Sequence, residues 1–128
     1  MIISGKVQRL TGDQRPGPGS RLPPVDLSDQ EIVVVAGAVQ PREFGDPFLP
    51  VGHLKAPVIS RGRTDALGCF RLMLDSHLSQ TSQITIFLVV PGGYYLNRFD
   101  GSGSFAKAEI RQAAAAPIVL LDDRNALR

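Results

Sequence analysis

Two histidines, one cysteine and a short oxygen-rich stretch are the residues with chemistry to offer in these 128 residues. A metal site needs His, Cys, Asp or Glu in close-spaced pairs. His53 and His77 stand apart, each in or beside a loop, so no metal site is expected. Cys69 lies between Gly68 and Phe70, with no adjacent base to activate it, and is expected to be a buried, inert thiol. Gly101-Ser102-Gly103 falls short of a nucleophile elbow and of a phosphate-binding loop, because each needs further fixed residues and a following helix. Asn97, Asp100 and Ser102 offer oxygens, but a calcium ion takes about six to eight of them and several carboxylates. With one carboxylate, Asp100 is expected to bond loop amides while Gly101 or Gly103 takes a positive φ. No catalytic residue and no cofactor is expected.

The same stretch, Tyr94 to Phe105, is the most distinctive part of the chain. It holds both tyrosines and two of the six phenylalanines. Aromatics bury the most surface per residue, and the glycines permit a sharp reversal. A chain reversal packed on a core is expected, with Phe99 as its anchor. Tyr94 and Tyr95 are adjacent, so on a strand their rings point to opposite faces.

The elements that must carry this stretch are strands. Ile2 to Leu10 is rich in β-branched residues and ends at Thr11-Gly12-Asp13. The Pro/Gly-rich residues 11–29 form a long connection. Ile32-Val33-Val34-Val35 suits a strand buried on both faces. Gln40 to Gly52, with three prolines, reads as a loop that tucks Phe44 and Phe48 against the core edge. Leu54 to Arg63 and Cys69 to Leu74 read as a β-hairpin around Thr64-Asp65-Ala66-Leu67-Gly68, with Asp65 and Gly68 as its turn residues. Asp75 to Gln83 has room for one helical turn. In Ile84 to Val90, Ile84, Ile86, Leu88 and Val90 share one face, and Phe87 and Val89 take the other. Phe105 to Gln112 alternates small apolar with charged residues. Ala113 to Ala116 is helix-friendly, but Pro117 closes that option. Ile118 to Leu121 is a last short strand. Seven strands without a useful amphipathic helix predict an antiparallel β-sandwich over residues 1–121, with 122–128 as a polar tail that frays.

The landmarks are similar to those of one family. Ser4-Gly5-Lys6-Val7 leads through Gly12-Asp13 to a Pro/Gly-rich loop and a Val-rich strand. Thr64-Asp65-Ala66-Leu67-Gly68-Cys69-Phe70 resembles the family's S/T-D-x-x-G-x-F turn, and Asn97-Arg98-Phe99-Asp100-Gly101-Ser102-Gly103 resembles its N-x-F-D-G-x-G element. The chain resembles a carboxypeptidase regulatory-like domain, one of the transthyretin-like β-sandwiches. Where that family has a tight L-P-x-G-x-Y loop after the hairpin, this sequence has Asp75 to Ser82 instead. The resemblance implies a Greek-key sandwich with a non-enzymatic accessory role and brings no catalytic residues. The endings of transthyretin-related hydrolases and the spaced iron ligands of intradiol dioxygenases are both missing.

Net charge is +2 and the arginines are scattered, which argues against a nucleic-acid partner. The longest apolar run is too short to span a membrane. With no signal-peptide pattern and one cysteine, a reducing, cytoplasmic setting is expected. The expected function is a non-catalytic binding or assembly module acting on a protein partner. Hydrophobic residues make up 43% of the chain, more than a small sandwich can hide, so self-association is also expected. The alternative is a carbohydrate- or small-ligand-binding sandwich using Tyr94, Tyr95, Asn97, Arg98 and Phe99. Exposure separates the two: a sugar site needs these rings coplanar and facing solvent.

Overall fold

The computed structural model describes residues 1–10, 24–42, 45–99 and 105–124. Two sheets face each other across one core. In the first, β1 (Ile2–Arg9) is central. One edge of it pairs with β6 (Cys69–Met73) along Ile2 to Lys6 and with β2 (Val25–Asp26) along Gln8 and Arg9. Its other edge pairs in parallel with β11 (Ile118–Asp122), and β11 pairs in turn with β9 (Arg98–Phe99). The second sheet runs β4 (Phe48–Pro50), β8 (Gly93–Leu96), β7 (Gln83–Val90), β3 (Glu31–Ala36), β5 (Val58–Arg63). β10 (Lys107–Glu109) pairs with the start of β7.

Period-two alternation accounts for the layers. Ile84, Ile86 and Leu88 of β7 and Ile32 and Val34 of β3 meet Ile3, Val7, Phe70, Leu72 and Leu120 of the first sheet in the main core. The alternate residues Val33, Val35 and Phe87 are equally buried on the far side of the second sheet. There the chain between β3 and β5 folds over them, with Val39, Leu49, Leu54 and Ala56 packed on that face. The second sheet is therefore covered twice. The outer face of the first sheet is not: Ile2 is 40% and Met73 72% exposed.

Several expectations are corrected. Eleven strands are present among the described residues rather than seven, several of them only two or three residues long, and two lie inside stretches read as loops, β2 within residues 11–29 and β4 within Gln40 to Gly52. The sandwich is not wholly antiparallel, because β1 and β11 run side by side. β5 and β6 do not form a hairpin; they belong to different sheets. The turn between them lifts the chain across the edge of the sandwich. Asp65 Oδ1 accepts hydrogen bonds from the Leu67 and Cys69 amides at 2.8 and 2.9 Å, and Gly68 adopts φ 78°. Buried Thr64 anchors the turn, donating to the Leu27 carbonyl at 2.6 Å and accepting from the Gln30 amide at 2.8 Å. Asp75 to Ser82 makes two turns and no helix. A helix does form before Pro117: α1 (Ile110–Ala115), opened by a reciprocal Glu109–Gln112 capping box and seated in the core by Ile110 and Ala113. Cys69 is exposed on β6, since its neighbours Phe70 and Leu72 take the core-facing positions. Asp122 does not open a fraying tail; it ends β11 and is completely buried.

Candidate functional site

The Tyr94–Phe99 stretch crosses from the second sheet to the first, and the crossing scatters its side chains. Tyr95 points into the main core at 5% exposure. Its hydroxyl donates to Asp123, and the Arg124 guanidinium lies 5.5 Å from its ring centre. Tyr94 takes the opposite face and meets Phe87 edge-on at 6.0 Å. Arg98 bonds Asp123 Oδ2 through Nε at 3.2 Å and stacks 4.4 Å from the Phe105 ring centre. Phe99 is half-buried against the main core. The five residues share no solvent-facing platform. Asp100, Gly101 and Gly103 lie outside the described residues, as does Ser102.

Asn97 is fully buried, and its backbone carbonyl accepts the Ala106 amide at 2.9 Å. Among the described residues neither its side-chain nitrogen nor its oxygen has a hydrogen-bond partner. A buried amide left unbonded costs about 1–3 kcal/mol. Asn97→Leu, similar in size and without that penalty, is expected to keep or raise the melting temperature. A marked fall in thermal denaturation would show that the amide has a partner and a role.

Sequence reasoning missed a polar cluster at this end of the sandwich. Arg124 grips Asp122 with two hydrogen bonds, Nε to Oδ1 at 2.9 Å and Nη2 to Oδ2 at 2.7 Å. Arg9 Nε lies 3.5 Å from Asp122 Oδ2. Burial alone would push the Asp122 carboxyl up. The Arg124 side-chain and backbone hydrogen bonds and the charges of Arg124 and Arg9 outweigh it and hold the group below its ordinary value. These contacts tie β11 to β1 and leave no charge free for chemistry. The only local signal was two acids and an arginine directly after an apolar strand.

His53 and His77 are both exposed, and no group of three metal-ligating side chains comes together among the described residues. A hollow of about 420 Å³ opens between Phe99, Ala108, Gln112, Ala113 and Val119, and the outer face of the first sheet is accessible as well. A hollow of about 330 Å³ there is lined by Ser4, Lys6, Cys69, Arg71, Pro117 and Val119. A second, of about 350 Å³, is lined by Ile2, Arg71, Leu72 and Met73. Lys6 pairs with Asp26 at 3.2 Å, and Gln8 bonds the same carboxylate. The Gln8 hydrogen bond first, then Lys6, holds Asp26 below its ordinary value. The face is thus apolar in patches, with Arg71 standing between its two hollows.

No family model and no curated protein matches the chain. No helix among the described residues is long and apolar enough to cross a membrane. Among solved structures, an alternative pilotin from the type II secretion system of Vibrio cholerae is 14% identical and aligns over 94% of this chain and 96% of its own. The TM-score is 0.37, and a likeness at that level carries no argument about this chain.

Proposed function

We propose that this chain is a non-catalytic binding or assembly module of the carboxypeptidase regulatory-like kind, a transthyretin-like Greek-key sandwich that acts in the cytoplasm through protein–protein contacts. One observation carries the reading. Apolar side chains of the other sheet faces are buried in the two clusters, whereas the outer face of the first sheet leaves Ile2 and Met73 in solvent beside Lys6 and Arg71. Apolar patches rimmed by polar groups mark contact surfaces. The exposed thiol of Cys69 on the same face suits a reducing compartment.

A photo-crosslinking amino acid placed at Met73 tests this in cells. Position 73 is expected to give a discrete protein adduct, whereas Val51, 62% exposed on the other side of the molecule, is expected to give none. Equal, diffuse labelling from both positions in folded protein would refute a contact role for this face.

A further inference from the structure

We propose that the partner of this face is a second copy of the same chain, docked about a twofold axis at Met73 so that Arg71 of each copy meets Asp75 of the other. The inference rests on the contact role proposed above and gives it an occupant. The observation behind it is a pattern along one strand. From Cys69 to Asp75 every second residue is exposed, and Phe70, Leu72 and Leu74 between them are buried. The ladder with β1 continues to the end of this run, where the Leu74 amide donates to the Met1 carbonyl at 2.8 Å. The exposed row therefore reads cation, thioether, anion: Arg71, Met73, Asp75.

Such a row is complementary to itself when turned end for end. Rotation by half a turn about Met73 sets each Arg71 against a carboxylate and Met73 against Met73. Alternate residues of a strand are about 7 Å apart, so the two ion pairs flank the axis symmetrically. Both charges are available. Among the described residues neither Arg71 nor Asp75 is in an ion pair, whereas Lys6, Arg61, Arg63 and Arg111 all are. The Asp75 carboxylate makes one local bond, accepting the His77 amide at 2.8 Å through Oδ1. Ile2, the register partner of Met73, widens the apolar centre. The hollow of about 350 Å³ that Ile2, Arg71, Leu72 and Met73 line can receive the opposing Met73, whose unbranched thioether adapts to irregular gaps. A twofold interface uses the same patch on both copies, which is the arrangement this row allows. In that arrangement the apolar centre supplies affinity, and the exposed ion pairs supply register and choice of partner.

Sedimentation velocity on the purified protein decides it. At about 100 μM, well above a micromolar dissociation constant, the wild type is expected to be a dimer. Arg71→Asp and Asp75→Arg are each expected to weaken that dimer by roughly tenfold or more, because each sets like charges face to face. Both positions are exposed, so Arg71→Asp is expected to leave the melting temperature of the monomer unchanged, and Asp75→Arg, which also loses the bond to the His77 amide, is expected to lower it only slightly. An equimolar mixture of the two variants is expected to dimerise again, since one copy then carries two anions and the other two cations. A wild type that stays monomeric at this concentration overturns the inference, as does a mixture no more associated than either variant alone. If the wild type is monomeric and Met73 still crosslinks to a different protein in cells, the contact role stands and the second copy is the wrong occupant.

Discussion

Gly5→Ala is expected to cost about 3 kcal/mol or more, a fall in melting temperature of about 12 °C for a domain of this size. Gly5 sits where β1 and β11 pair in parallel, directly opposite Ile118. A Cβ at this position would lie 1.9 Å from the Ile118 carbonyl oxygen and 2.9 Å from its carbon and nitrogen. These are backbone atoms, so no rotamer change can relieve the contact. The two strands must move apart, and the five-residue register from Gly5–Ile118 to Arg9–Asp122 is strained along its length. That register is what joins the end of the chain to its beginning. Ser4→Ala, one residue away on the same strand, is the control and should change little. A Gly5→Ala protein with wild-type stability in urea would show that β1 and β11 do not approach this closely.

Asp122→Ala is expected to cost about 3 kcal/mol near neutral pH, since removing one partner of a buried ion pair leaves uncompensated charge behind. Asp122 is fully buried, while the side chains of Arg9 and Arg124 are 35% and 26% exposed. Their access to water keeps the loss at the lower end of the range for buried pairs. The pH dependence gives the sharper readout. The Asp122 carboxyl is held below its ordinary 3.8 in the folded protein, so the folded state favours the ionised form. Its contribution is complete above the unfolded value of about 4 and disappears as pH falls through the lower folded value. Urea midpoints of the wild type should therefore fall between neutral pH and pH 3 by more than those of Asp122→Ala. Parallel falls in the two proteins would remove Asp122 from the account of acid sensitivity.

Local patterns decided much of this protein. The alternation of Ile84, Ile86 and Leu88 with Phe87 and Val89 assigned each side chain of β7 to its face, because a strand's two faces follow from its own geometry. The valine run of β3 marked a strand buried on both sides for the same reason. The turn at Asp65 and Gly68 closes with bonds inside five residues, so its chemistry was readable in place. Partners are another matter. Nothing near β5 or β6 says that a turn between them leads to a different sheet; that depends on β1 and β3 competing for their edges. Cys69 looked apolar and buried beside Phe70, yet only one parity of β6 can face the core, and Phe70 and Leu72 fill it. Asp122 looked like the start of a solvated tail, and only the parallel pairing with β1 brings Arg9 to it and takes the carboxylate out of water. The aromatic stretch looked like one surface, and a sheet-to-sheet crossing split it. Period and turn chemistry are properties of a few adjacent residues, and they were legible. Strand partners, burial of charge and the uncovered face are properties of residues far apart in the chain, and packing alone settles them.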